Sequence, residues 1–216
     1  IKLSRTTMTE KSFAQRLLEA SQAHKSLLCV GLDPDPARMP VPDVFEFNRR
    51  IVDATCDLVC SYKPNLAFYE ALGLAGLEAL KQTVDYIRQA APGVIIIGDG
   101  KRGDIGHTAG AYARAMFEVW GFDATTVNAF GGGDTVEPFL AYPGRGVFVW
   151  CRSSNPGARD FQDLPTDLEG VLRPFYMQLA IKALHWHDKG DLGLVVGATY
   201  PDELKKVRAF CPNLPI

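Results

Sequence analysis

Residues 94–105 of the chain read Val-Ile-Ile-Ile-Gly-Asp-Gly-Lys-Arg-Gly-Asp-Ile. The stretch opens with four β-branched apolar residues, which favour a strand. A run of this kind without polar alternation is typical of a strand that is buried on both faces, as in a parallel sheet. Charged residues follow only at its carboxyl end, where Asp99, Lys101 and Asp104 stand. We therefore predict a parallel strand over residues 94–101 that ends in a polar site.

The same pattern recurs along the chain, where short apolar runs alternate with amphipathic stretches. This alternation predicts repeated βα units. Further strands are predicted over residues 27–33, 58–65, 124–130, 146–154 and 192–199, and a seventh begins at 215–216. Helices are predicted over residues 9–24, after Asp43 with Glu46 completing a capping box, and over 69–91, 106–120, 135–142, 168–187 and 201–210.

This order of elements favours an α/β fold of the (β/α)₈ TIM-barrel class over a doubly wound sheet. No G-x-G-x-x-G follows the first strand, which weakens the dinucleotide-binding alternative. We expect residues 8–216 to form a single barrel domain, with the end of strand 7 and all of strand 8 outside the given sequence. Residues 1–7 are interpreted as a leader or tag, because Met8 could be the natural start.

The composition favours a small-molecule partner. Lys and Arg number 23 against 25 Asp and Glu, and neither sign forms a long block, so no nucleic-acid or membrane surface is indicated. No apolar run approaches the roughly 18 residues of a membrane span. The five cysteines are an odd number and lie mostly in apolar runs, which predicts reduced core residues in the cytoplasm rather than disulfides.

Charged residues gather at the carboxyl ends of the predicted strands, which in a barrel converge on one mouth. Asp99 and Lys101 are two apart, so both should face the interior, where an ionised pair is costly unless it is held in a polar network. A purely structural ion pair is the alternative. Lys63 interrupts its strand in the same way but could be simply solvated, and Asp33 and Ser154 could be turn residues.

Metal and triad chemistry have little support in the sequence. No serine has a companion His and acid, and the four histidines fall mainly on predicted helices. We therefore predict neither a metal site nor a nucleophilic triad.

Taken together, several segments resemble the orotidine 5'-monophosphate decarboxylase family, and the likeness runs from about Phe13 to the last residue. The D-x-K-x-x-D-I element at Asp99–Ile105 is the hallmark. Further matching segments occur in the same order at residues 29–33, 62–70, 126–128, 151–161 and 193–199. They resemble the bacterial, long-form branch of the family, with its long K-P-N-x-x-F-Y-E strand at residues 63–70. The resemblance implies cofactor-free decarboxylation of orotidine 5'-monophosphate (OMP) to UMP and CO₂, the last step of de novo pyrimidine nucleotide synthesis.

The resemblance also implies a catalytic array of Lys63, Asp99, Lys101 and Asp104. Loss of CO₂ from C6 leaves a carbanion with no adjacent carbonyl, so the protein must stabilise it electrostatically. Lys101 would stabilise that charge and protonate C6. Asp99 and Asp104 would hold the ammonium, and Lys63 would balance the acidic pair.

Binding residues are implied in the same way. Asp33 and Thr108 would bind the ribose hydroxyls, and Ser154 would hydrogen-bond the pyrimidine amide edge. Asp104, Ile105 and Thr108 would reach into the neighbouring subunit, so that a homodimer carries two shared sites. The residues that grip the phosphate are expected beyond Ile216.

Two other functions stay open. The first is a metal-dependent phosphosugar lyase on the same barrel, although such enzymes place a carboxylate ligand on the second strand, where this chain has Lys63. The second is a truncated, inactive barrel that only binds nucleotide.

Overall fold

A computed structural model describes residues 11–188 and 190–216 of the chain. The predicted leader, residues 1–7, lies outside the described residues, and so does the start of the helix predicted from Thr9. Within the described ranges, no helix is both long enough and apolar enough to cross a membrane.

Six of the strands between residues 11 and 216 form one parallel sheet, in the order β1-β2-β3-β4-β5-β8. The remaining two, β6 and β7, form a separate antiparallel hairpin. The strands are β1 (Cys29–Leu32), β2 (Ser61–Pro64), β3 (Ile95–Arg102), β4 (Ala124–Val127), β5 (Gly146–Arg152), β6 (Pro165–Leu168), β7 (Val171–Pro174) and β8 (Leu192–Val196).

Helices connect these strands and cover the outside of the sheet. They are α1 (Phe13–His24), α2 (Val44–Thr55), α3 (Leu66–Glu70), α4 (Gly73–Ala90), α5 (Gly106–Arg114), α6 (Glu137–Leu140), α7 (Phe175–His187) and α8 (Pro201–Phe210). The sheet is curled and has the strand order of a (β/α)₈ barrel, which confirms the predicted fold class. Residues 215–216, where a further barrel strand was predicted to begin, lie beside β8, because the Leu194 N–H donates to the Pro215 carbonyl oxygen at 2.9 Å, but these two residues do not form a strand.

The core has two parts, and they show which face of each strand points inward. A large cluster lies between the sheet and its outer helices and includes Val94 and Ile96. A smaller one fills the inside of the curl, where Ile95 and Ile97 pack with Phe13 of α1. Because side chains alternate along a strand, Asp99 follows Ile95 and Ile97 on the interior face. The carboxyl end of β3 therefore brings its charge to the inside of the barrel.

The predicted helix over residues 168–187 was wrong at its start. A β-hairpin occupies residues 165–174, and the helix begins only at Phe175. The two-residue turn Glu169-Gly170 has φ angles of 56° and 78°, the conformation that a tight hairpin turn requires. The apolar residues on either side of that turn were misread as one face of a helix.

Other helix boundaries also differ from the prediction. The stretch 69–91 is two helices, α3 and α4, because Gly73 takes a φ of 65° that breaks the first. The stretch 106–120 ends in a π-helical turn, and 135–142 holds only a 3₁₀ turn and the short α6. At α2, Asp43 caps the Glu46 N–H at 2.6 Å, but the Glu46 carboxylate binds Arg49 and Arg50 instead of closing the capping box.

Candidate active site

Three of the predicted catalytic side chains meet at the carboxyl ends of β2 and β3. Lys63 Nζ lies 2.7 Å from Asp99 Oδ2, and Lys101 Nζ lies 2.7 Å from Asp99 Oδ1. The Asp99 side chain is 5% exposed, whereas the two lysines are 32% and 33% exposed. One buried carboxylate is thus held between two ammonium groups that face the mouth of the barrel.

The charge state of Asp99 follows from these contacts. Burial by itself would raise the pKa of the Asp99 carboxyl, but hydrogen bonds from Lys101 and Lys63 outweigh it and hold the pKa below its usual value. Asp99 is therefore ionised at neutral pH. With two ammonium groups against one carboxylate, the cluster carries a net positive charge, which suits an anionic ligand.

The backbone around Lys101 departs from regular strand geometry. The pairing of β3 with β4 shifts register between Gly98 and Arg102, and Lys101 itself has a φ of 44°, in the left-handed region. This conformation costs a non-glycine residue about 1–2 kcal/mol. The prediction that Asp99 and Lys101 meet on one face is confirmed, but a bulge brings them together rather than regular strand alternation.

Thr126 on β4 stabilises that bulge and was not predicted as a site residue. Its hydroxyl accepts the Lys101 backbone N–H at 2.9 Å and donates to Asp99 Oδ1 at 2.7 Å. One side chain therefore fixes both members of the Asp99–Lys101 pair. A threonine at a wholly buried strand position was the available signal, since such a hydroxyl needs partners.

Trp150 on β5 is a second contact that the sequence did not reveal. Lys101 Nζ lies 5.9 Å from the centre of the Trp150 ring, within the range of a cation–π interaction. The ammonium is thus bounded by a carboxylate on one side and by an aromatic ring on another.

The segment Lys63–Glu70 is not one long strand but the end of β2, a cap and α3. Asn65 caps the helix by accepting the Ala67 N–H at 3.3 Å, and the Tyr69 hydroxyl donates to the Leu32 carbonyl at 3.1 Å. Glu70 forms an ion pair with Arg102, the residue after Lys101. The motif therefore ties the end of β1 and the end of β3 to the helix that follows Lys63.

Asp104 does not join the other three residues. It follows β3, and its Oδ1 accepts the N–H of the next residue, Ile105, at 2.7 Å. The ion pairs within residues 11–188 and 190–216 do not include Asp104. Ile105, which is 66% exposed, and the partly buried Thr108 lie beside it at the start of α5. These three residues form a patch outside the Lys63–Asp99–Lys101 cluster.

The two remaining predicted residues lie at other strand ends. Asp33 is exposed just after β1. A β-carbon added at Gly31 would lie 3.7 Å from Asp33 Oδ1. Gly31 is the strand partner of Lys63, so the missing side chain leaves room between Asp33 and the cluster. Ser154 is exposed after β5 and lines a cavity of about 340 Å³. Its backbone oxygen accepts the Thr199 hydroxyl at 3.3 Å.

Possible metal ligands do not gather in the part of the chain that the structure describes. There, no three His, Cys, Asp or Glu side chains are grouped so as to hold an ion. The five cysteines are free thiols, of which Cys60, Cys151 and Cys211 are buried.

Comparison with known proteins identifies the family. Residues 26–214 match the family model described as orotidine 5'-phosphate decarboxylase / HUMPS family. The chain is 50% identical over 204 residues to orotidine 5'-phosphate decarboxylase of Dehalococcoides mccartyi, covering 94% of this chain and 74% of that protein. The enzyme of the same name from Thermomicrobium roseum is 50% identical over 212 residues, covering 95% and 74%.

Solved structures agree in fold. The OMP decarboxylase of Leishmania donovani superposes with a TM-score of 0.83 at 39% identity, covering 94% of this chain and 78% of that one. The UMP synthase of the same organism gives 0.84 at 39% identity, covering 95% and 44%. The chain therefore belongs to the orotidine 5'-phosphate decarboxylase / HUMPS family.

Proposed function

We propose that this chain is a carboxy-lyase that converts OMP to UMP and CO₂ without a cofactor, in the last step of de novo pyrimidine nucleotide synthesis. Family membership supports the reaction. The observation that carries the mechanism is Asp99 held between Lys63 and Lys101, at 2.7 Å from each ammonium.

In the proposed reaction, the bond between C6 and the carboxylate carbon breaks, and its electron pair stays on C6. CO₂ leaves as a neutral molecule. The Lys101 ammonium stabilises the developing negative charge and then transfers a proton to C6, giving UMP. The neutral amine regains a proton from solvent, which its partial exposure allows.

Asp99 acts on Lys101 rather than on the substrate in this mechanism. Because it is ionised and buried, it fixes the Lys101 ammonium at one position. Lys63 balances the second carboxylate oxygen, and Thr126 holds the pair from β4. Preorganised charges of this kind need no rearrangement as the transition state forms.

The ligand contacts are proposed from position and chemistry. Asp33 lies at the end of β1 beside Lys63, where a carboxylate can accept hydrogen bonds from ribose hydroxyls, and Thr108 would contribute from α5. Ser154 lies beside a cavity at the end of β5, where its backbone and hydroxyl can pair with a pyrimidine amide edge. Active sites of this fold lie at this face of the barrel.

A cytoplasmic homodimer completes the proposal. The Asp104 carboxylate lies outside the ion pairs of its own described chain, and the neighbouring Ile105 is 66% exposed. Both features fit a patch, joined by Thr108, that enters the site of a second copy.

Mixing Lys101→Ala with Asp104→Ala protein tests the shared site. Under subunit exchange, half of the sites in a mixed dimer carry both defects and the other half carry none. Activity should therefore return on mixing, and its complete absence despite proven exchange would contradict the shared site.

The reaction itself is tested by following the absorbance of OMP after adding protein pretreated with EDTA. Rapid, EDTA-resistant loss of substrate with stoichiometric UMP supports the proposed function. Activity that disappears with EDTA and returns with a divalent cation would support a metal-dependent lyase. Binding of UMP with no turnover of OMP would support a nucleotide-binding barrel.

A further inference from the structure

A buried arginine stands next to the proposed pyrimidine contact. Arg152, the last residue of β5, has an exposure of 0%, although it carries a permanent charge. A guanidinium at such a position is costly unless its donors are paired. The contacts of Arg152 therefore show what holds it there.

On one side, Arg152 binds the chain that returns after Ser154. Its Nη1 donates to Gln162 Oε1 at 3.1 Å, and its Nη2 lies 3.1 Å from Asp163 Oδ1. Gln162 in turn accepts the Ser153 N–H at 2.9 Å and donates to the Ser153 hydroxyl at 2.9 Å. The residue before Ser154 is thus fixed through Gln162.

On the other side, Arg152 contacts the loop after β8. The Arg152 guanidinium carbon lies 4.0 Å from the ring centre of Tyr200. The backbone carbonyl oxygen of Arg152 accepts the Gly197 N–H at 2.8 Å. A side chain added at Gly197 would come within 2.9 Å of the Ser154 backbone. The two loops are therefore in direct contact, and glycine is needed for them to approach.

Both loops line one cavity. Ser154 and Tyr200 are among the residues around its volume of about 340 Å³. The Arg152 guanidinium contacts the Tyr200 ring. It is also hydrogen-bonded, through Gln162, to Ser153, the residue before Ser154. The width of the cavity between the two loops thus depends on a side chain that does not line it.

The pairing of Arg152 is incomplete in a way that argues against a role in stability alone. Its Nε is buried and has no hydrogen-bond partner among residues 11–188 and 190–216. A residue that served only to fill this space would be more favourable without a buried, unpaired donor. The fixed, planar set of Arg donors instead suits the task of setting the geometry of two loops.

We propose that Arg152 is a positioning residue for pyrimidine recognition. It sets the distance and angle between Ser154 and Tyr200, so that the cavity accepts the base. This inference rests on the proposed function, because it assumes that Ser154 meets the pyrimidine edge.

The test compares Arg152→Met with Arg152→Lys and wild type. The readouts are competitive inhibition by UMP and by ribose 5-phosphate, kcat and KM for OMP, and Tm. Arg152→Met should weaken UMP inhibition by about tenfold, the effect of losing one hydrogen bond between the base and a displaced Ser154. Inhibition by ribose 5-phosphate, which has no base, should stay within about twofold. Arg152→Lys keeps the charge but loses the planar set of guanidinium donors, so its UMP inhibition should lie between that of wild type and that of Arg152→Met.

Arg173→Met is the matched control. It removes another arginine–aromatic contact, with Phe210 at 5.4 Å, on β7 and α8. This variant should leave inhibition by both ligands unchanged.

Equal weakening of UMP and ribose 5-phosphate inhibition by Arg152→Met would mean a merely structural residue and would overturn the proposal, as would unchanged UMP inhibition. If Arg152→Met does not fold, Gln162→Met removes the link to Ser153 while Arg152 keeps its ion pair with Asp163, and the same selective loss is required of it. Failure of wild type to turn over OMP would instead refute the proposed function, so the two failures are distinguishable.

Discussion

Two buried aspartates lie at opposite ends of the barrel, and each is surrounded by cations. At the carboxyl ends of the strands, Asp99 binds Lys63 and Lys101. Asp123 precedes β4 at the amino end of the sheet and is 1% exposed. Within the described chain it pairs with three arginines: Arg16, Arg88 at 2.7 Å and Arg145 at 3.7 Å.

The choice of cation separates the two clusters. Arg16 lies on α1, Arg88 on α4 and Arg145 just before β5, so Asp123 joins three distant segments. Arginine forks suit that structural task. The two lysines at Asp99 come from β2 and β3, which the sheet already pairs, so their ion pairs connect no further segments of the chain. Their compact charges face the mouth, where a ligand can approach. We therefore propose that the Asp99 cluster is catalytic and that the similar Asp123 cluster is structural.

The largest expected effect of breaking the Asp99 cluster comes from Lys101→Ala. Removing both the charge that stabilises C6 and the proton donor should lower kcat by more than about 10⁴-fold, with a modest loss of UMP affinity. Steady-state kinetics with UMP titration measures both quantities. A variant that keeps most of its kcat would refute the role given to Lys101.

Asp99→Asn should lower kcat by about 10²- to 10³-fold, because the ammonium loses its fixed partner. Unfolding free energy should change little, since the two lysines lie on adjacent strands that the sheet already joins and both can be solvated at the mouth of the barrel. Urea unfolding and kcat are measured on the same preparation. Loss of stability without loss of kcat would reverse the assignment of the two clusters.

Asp123→Asn should behave in the opposite way. The free energy of unfolding should fall by about 2–3 kcal/mol, less than for a wholly buried pair because the arginines are about a third exposed. The kcat of the folded fraction should match wild type. A large drop in kcat at unchanged KM would show that the amino end takes part in the chemistry.

Thr126→Val should lower kcat by about tenfold, since it removes the one hydroxyl that bonds both the Lys101 N–H and the Asp99 carboxylate. Thr126→Ser should restore it. Thr125→Val is the matched control, because the Thr125 hydroxyl is equally buried but donates to the Gly98 carbonyl at 2.8 Å, away from both lysines. Equal effects of the two valine variants would remove the special role of Thr126.

The smallest effect concerns pH. The pKa of Asp99 is lowered in the folded state, so its contribution to stability is present above the unfolded value of 3.8 and is lost only as pH falls below it. The ¹³C signal of the Asp99 carboxyl should therefore not shift between pH 7 and about 5. Titration of that carboxyl within this window would contradict an Asp99 held ionised by two lysines.

Local patterns in the sequence predicted most of the sheet and the Asp99–Lys101 pair, because apolar runs and the charges that end them are adjacent in the chain. Lys63 was placed with that pair only by the family resemblance. The hairpin over residues 165–174 was missed, since its apolar residues also fit a helical face. The Asp123 cluster could not be predicted because its arginines are at positions 16, 88 and 145, which only the folded chain brings together. Thr126 was missed although its position in an apolar strand was a signal, because the partners of its hydroxyl, Asp99 and Lys101, lie on another strand.

The measurement that tests the central claim most directly is exchange of the C6 hydrogen of UMP in D₂O, followed by ¹H NMR. If Lys101 protonates a C6 carbanion, the reverse step must remove that proton, so wild type should slowly introduce deuterium at C6. Lys101→Ala, still saturated with UMP, should introduce none. Equal exchange by the two proteins would contradict the account, because the proton would then come from another group.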